Sequence, residues 1–138
     1  MRVRELHESG GGRDTMPVER AEDHPTYDFE GNTVISLIAP SRGGIECVLY
    51  SVMSPPGHGL PPHRHDHLDT FTVTAGGGLW HLDEATFELR TGDSVIVPIG
   101  VRHFLEAGLE GATFVVTMLP GTRSILDDGS EFVPAWAS

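Results

Sequence analysis

Four side chains at fixed spacing carry the chemistry this chain could do. His63, His65 and His103 supply imidazoles and Asp69 supplies a carboxylate, a donor set that suits a divalent Fe, Mn, Ni, Zn or Cu ion. His67, between His65 and Asp69, is a further candidate ligand. Six of the eight histidines fall between positions 58 and 103, and histidines that merely face solvent have no reason to concentrate in this way. The concentration predicts one divalent metal ion per chain.

The elements that would position these donors follow from side-chain alternation. Residues 63, 65, 67 and 69 share parity, so an unbroken strand would project all four to one side. A tight turn over Asp66 to Leu68 is the other solution, with Asp69 opening the next strand and His67 at the tip. The residues leave both open. Pro98-Ile99-Gly100 forces a turn in either case, and His103 then starts a strand with Leu105 and Ala107 on its own face. Phe71 and Val73 share parity with the nearby donors. Phe71, Val73, Leu105 and Ala107 are therefore expected to line an apolar pocket, while Arg64, Arg102 and Glu106 alternate with these positions and face away.

From Thr33 onward, short apolar or alternating runs are punctuated by Gly, Pro, Asp and Ser, with no 3.6-residue period. Strands are expected at Thr33–Ala39, Glu46–Met53, Asp69–Thr74, Leu79–Leu82, Ala85–Leu89, Ser94–Val97, His103–Ala107 and Thr113–Leu119. Turns are expected at Ser41–Gly44, Ala75–Gly78, Asp83–Glu84, Thr91–Asp93 and Gly108–Gly111. Eight short strands with tight turns imply an all-β sandwich or barrel. The strand through Glu46–Met53 is apolar on both sides, which predicts cover on both faces. The segment from Pro120 to Ser138 is less regular, and its Phe132, Pro134 and Trp136 are expected to pack back on the barrel.

At 138 residues the chain supports one core. Residues 1–16, polar and carrying Gly10-Gly11-Gly12, are expected to form a flexible tail, and residues 17–138 a single domain. A formal charge of -11 argues against nucleic acid and anionic membrane as partners, since either needs a basic patch. All nine basic residues are Arg, which carries no functional inference. No run approaches the ~18 apolar residues of a membrane span, and the charged, glycine-bearing N-terminus does not match a secretory leader. Cytoplasmic location is the expectation. Cys47 is the single cysteine, so no internal disulfide can form, and its apolar surroundings predict a buried thiol.

The spacing resembles the two motifs of the cupins. In the first, G-x5-H-x-H-x3-E-x6-G, the places are filled by Gly57, His63, His65, Asp69 for Glu, and Gly76. In the second, G-x5-P-x-G-x2-H-x3-N, they are filled by Gly92, Pro98, Gly100, His103 and Ala107 for Asn. The resemblance, over roughly Val34 to Leu119, implies an antiparallel jelly-roll β-barrel, a metal held by His63, His65, Asp69 and His103, and a homodimer. Asp69 is one methylene shorter than Glu and Ala107 removes a polar group from the pocket, which favours a less polar substrate.

Such a site leaves coordination positions open for a small organic ligand. With no evident inward base other than Asp69 or His67, dioxygenase-type oxidation of a chelated metabolite is expected. Lewis-acid isomerase, cyclase or lyase chemistry, or a non-enzymatic binding or sensory role, are the alternatives. Because imidazoles must be neutral to ligate, metal affinity is expected to fall below pH about 6.5.

Overall fold

The computed structural model describes residues 3–7 and 18–138. Eleven strands run in chain order: β1 Val3–His7, β2 Thr26–Phe29, β3 Asn32–Ile38, β4 Val48–Ser54, β5 His63–His65, β6 Asp69–Leu82, β7 Ala85–Arg90, β8 Ser94–Val97, β9 His103–Met118, β10 Ser124–Leu126 and β11 Glu131–Phe132. Short 3-10 turns occupy Ala21–Asp23, Pro40–Arg42 and Ala135–Ala137, and no α-helix occurs among the described residues. All pairings are antiparallel. One path runs β1-β2-β3-β4-β9-β5-β10-β11, and β6 joins β7, β8 and β9. The fold is an all-β jelly roll curled around one core.

Two long strands replace four expected short ones, and the glycines at Ala75–Gly78 and Gly108–Gly111 make bends instead of turns. Chain β6 pairs with β9 from Asp69 to Leu82, with register shifts between Val73 and Ala75 and between Gly76 and Gly78. A Cβ on Gly76, where φ is +67°, would lie 2.1 Å from the Gly111 carbonyl oxygen, and one on Gly78 would lie 2.0 Å from that of Glu106. Only glycine permits this backbone approach. The bends reverse the inward parity. Asp69, Phe71 and Val73 are buried before them and Trp80 after them; His103, Leu105 and Ala107 are buried before, and Ala112, Phe114, Val116 and Met118 after.

Three other expectations are corrected. Val3–His7, placed in a polar tail by composition, pairs with β2 through backbone bonds that need no apolar side chains; residues 8–16 of that expected tail lie outside the described residues. Strand β4 starts at Val48, one residue beyond Cys47, which leaves the thiol exposed in the approach loop. The outer face of β4 is only partly covered, since Val48, Tyr50 and Val52 are buried whereas Met53 is exposed. The C-terminal segment packs back as expected: Trp136 stands 5.5 Å from Phe29 and 6.0 Å from Tyr50 between ring centroids.

Candidate metal centre

Two strands, β5 and β9, bring the three histidines together. The loop before β5 is stitched to β9 by Gly57 N–H to the Ala107 carbonyl at 2.9 Å and by Ala107 N–H to the His58 carbonyl at 2.8 Å. Strand β5 then pairs His63 directly with His103, so both rings project to one side of the sheet. After His65 the strand breaks. Asp66 and His67 form a bend, and Asp69 opens β6. The turn solution is therefore the one adopted, with His67 exposed and its Nδ1 2.8 Å from Asp66 Oδ1.

The three rings lie close together, with centroid separations of 4.7 Å for His63 and His65, 4.4 Å for His63 and His103, and 5.1 Å for His65 and His103. In every case Nδ1 is already committed. His63 Nδ1 donates to the Pro61 carbonyl at 2.7 Å, His103 Nδ1 to the Val101 carbonyl at 2.8 Å, and His65 Nδ1 to Asp69 Oδ1 at 2.9 Å. A carbonyl can only accept, so Nδ1 carries the proton and the Nε2 lone pair is left free. Burial, then the neighbouring His65, lowers the His63 pKa to about 4; burial, then His63, lowers that of His103 to about 3. Both rings are neutral at pH 7. Donor atoms of the three rings lie within 4.8 Å of one another, so the group can hold a metal ion, and three imidazoles whose Nδ1 atoms are each held by an acceptor fit one well.

Of the other candidates, Asp69 is buried and oriented on His65, outside the three-histidine group, and His67 is remote from it at the turn tip. Phe71 and Leu105 line the cavity at the histidines, as expected. Val73 and Ala107 are buried but not among its lining residues. Val73 belongs to a deeper row, Val52–Phe114–Val73, and Ala107 is covered by the loop that bonds to it.

Tyr50 and Trp80 were not foreseen as cavity residues. Register explains Tyr50, because it pairs with Val116, which pairs on its other side with Phe71, and all three face inward. Its hydroxyl is held well above its ordinary pKa by burial and by the charge of Asp69. Trp80 reaches the site through the parity reversal in β6 and stands 5.2 Å from His103 and 5.0 Å from Phe71. The alternation of Val48, Tyr50 and Val52 was visible in the sequence; the neighbour of that strand was not.

An antiparallel jelly roll with three converging imidazoles defines a class of β-barrel proteins whose interior can hold a metal ion. The sequence model of the cupin domain family matches residues 50–118, and the chain belongs to that family. It is similar to Protein SchB of Streptomyces halstedii, 32% identical over 84 residues that span 59% of this chain and 61% of that protein. It is also similar to the dimethylsulfoniopropionate lyase DddW of Ruegeria pomeroyi, 36% identical over 59 residues, 43% of this chain and 39% of that one. The chain thus matches less than two thirds of the length of either relative. The fold resembles an RmlC-like cupin from Shewanella frigidimarina, with TM-score 0.66 and 21% identity over 76% of this chain and 91% of that one. The polyketide cyclase RemF of Streptomyces resistomycificus gives TM-score 0.60 and 23% identity over 77% and 75%.

Proposed function

We propose that this cupin is an enzyme that holds one divalent ion on His63, His65 and His103 and moves a proton on a small chelating organic acid, as a lyase, isomerase or cyclase does. The observation that carries the reading is Tyr50, a buried residue that lines the same cavity as the three histidines and Asp69. A divalent Fe, Mn, Ni, Zn or Cu ion on three imidazoles supplies Lewis-acid polarisation of a chelated carbonyl or carboxylate.

The chain's own residues do the rest. Tyr50 keeps its proton, because burial and the Asp69 charge both disfavour the phenolate, and so it donates toward negative charge developing on the substrate. Asp69 orients His65 through Nδ1 and is the carboxylate in the cavity wall that can accept a proton. Phe71, Leu105, Phe114 and Val116 make the remaining wall apolar, which excludes water and strengthens both interactions. The lyase named among the relatives supports this reaction class. A homodimer accompanies the reading, supported by the outward row Leu49, Thr117, Thr70 and Ile96, in which Ile96 is 69% exposed; sedimentation velocity checks it.

Dioxygenase-type oxidation is the second reading, favoured by three protein donors that leave room for substrate and O2 in a water-excluding wall. One experiment separates the two. Metal content is measured on anaerobically purified protein, which is then given 2-oxo acids, catechols, 1,3-diketones and thiols while solvent deuterium exchange and O2 uptake are followed. Metal-dependent exchange that Tyr50→Phe slows by about 100-fold or more, with metal content unchanged, is the expected result. Substrate-dependent O2 consumption instead selects the dioxygenase reading, and stoichiometric metal with neither activity selects a binding protein.

A further inference from the structure

Two voids meet at three side chains. The first, about 30 Å³, is the cavity at the histidines. The second, about 20 Å³, lies behind it, and Tyr50, Leu60 and His63 wall both. One water occupies roughly 10–15 Å³ on this measure, so each void admits only a few heavy atoms. The back void is further lined by Phe29, Pro61, Ser124, Leu126, Phe132, Pro134 and Trp136. None of the described residues lining it is an acid, a lysine or an arginine, so a charged group placed there would be left uncompensated.

The C-terminal wall is built in. Strand β10 pairs with β5 so that Ser124 opposes His65 and Leu126 opposes His63, which places both side chains on the imidazole side of the sheet. Arg123 N–H donates to Asp66 Oδ1 at 2.7 Å, and Arg102 donates twice to Asp127 at 2.9 Å. The far end is fixed by the Ser36 hydroxyl, which donates to the Trp136 carbonyl at 2.7 Å. This wall lies wholly beyond residue 118, where the family match ends.

We propose that the back void is a second substrate subsite that takes a short uncharged alkyl arm, with Leu126 setting its length, while the anionic chelating end of the same molecule lies at His63, His65 and His103. The proposal rests on the reading of those histidines as the metal site. Imidazole ligands bring no negative charge, so the charge of a divalent ion is left to be matched by Asp69 and the ligand, hence an anionic end. In this arrangement the arm passes Tyr50, Leu60 and His63, the side chains that line both voids.

The test is calorimetric titration of the zinc-loaded full chain with pyruvate, 2-oxobutyrate, 2-oxopentanoate, 2-oxohexanoate and 2-oxoglutarate. Affinity should rise about three- to fourfold per methylene until the void is full and fall beyond it, with 2-oxoglutarate weaker than 2-oxopentanoate. Leu126→Ala and Phe132→Ala should move the best chain length up, and Leu126→Phe should move it down, all with wild-type metal content. Opposite shifts from enlarging and filling substitutions cannot come from general destabilisation. The same length profile in wild type and every variant would overturn the subsite and leave the proposed function standing. Failure of all five acids to bind zinc-loaded protein, or of the protein to take up zinc, would overturn both.

Discussion

At His63, His65 and His103 the decisive atoms are the Nδ1 nitrogens, because each is held by an acceptor and so fixes where the Nε2 lone pair lies. His63→Ala and His103→Ala are each expected to abolish stoichiometric metal by mass spectrometry, whereas His67→Ala keeps it. Asp69→Ala should keep one ion per chain at saturating metal but weaken affinity by about 10–100-fold, the effect of losing a carboxylate that orients a ligating histidine; complete loss of metal would make Asp69 a ligand. The donor types and their spacing were legible in the sequence. What was not legible is the division of labour between Asp69 and the imidazoles, which depends on the chain breaking at Asp66–His67 and not continuing as one strand.

At the level of the strands, glycine decides where β6 and β9 bend. Gly76→Ala would drive a Cβ into the Gly111 carbonyl oxygen at 2.1 Å in a left-handed backbone conformation, and a loss of more than about 3 kcal/mol of stability is expected. Gly92→Ala is the control. Its φ is +96° but no atom lies within 4 Å of the added Cβ, so only conformational strain of about 1 kcal/mol applies. Urea unfolding of the two variants measures the difference, and equal losses would show that crossing contacts play no part. Glycine runs at 75–78 and 108–111 read locally as turns because turns and bulges ask for the same positive φ. The backbone contacts between β6 and β9 that make them bulges, Gly76 with Gly111 and Gly78 with Glu106, join residues far apart in the chain.

For the whole molecule, burial of the histidines sets the response to acid. His63 and His103 have folded pKa values lowered to about 4 and about 3, below the roughly 6.5 of an unfolded chain. Between these values the unfolded state binds more protons than the native state, so stability falls as pH drops. Metal-free protein should therefore lose up to about 1.4 kcal/mol per pH unit for each ring between pH 6.5 and 4, levelling off below about pH 3; thermal melts across this range read it. In the fold His63 and His103 stay unprotonated until pH nears 4, so the pH 6.5 onset expected for metal loss moves down. Metal retention at pH 5.5, measured after rapid desalting, checks the shift. Removing the ion with a chelator should lower Tm, since a ligand at 1,000 times its Kd contributes about 4 kcal/mol.

The sequence by itself determined the family, the all-β architecture and the three histidines, because donor chemistry and two-residue alternation are local properties. Only the tertiary structure decided that Tyr50 and Trp80 line the cavity with the histidines, that Asp69 is held on His65 Nδ1, and that residues beyond 118 wall the second void. Those facts depend on which strand pairs with which and on where a bulge reverses parity. Strand neighbours are chosen by the burial of the whole core, a quantity that no short stretch of sequence contains.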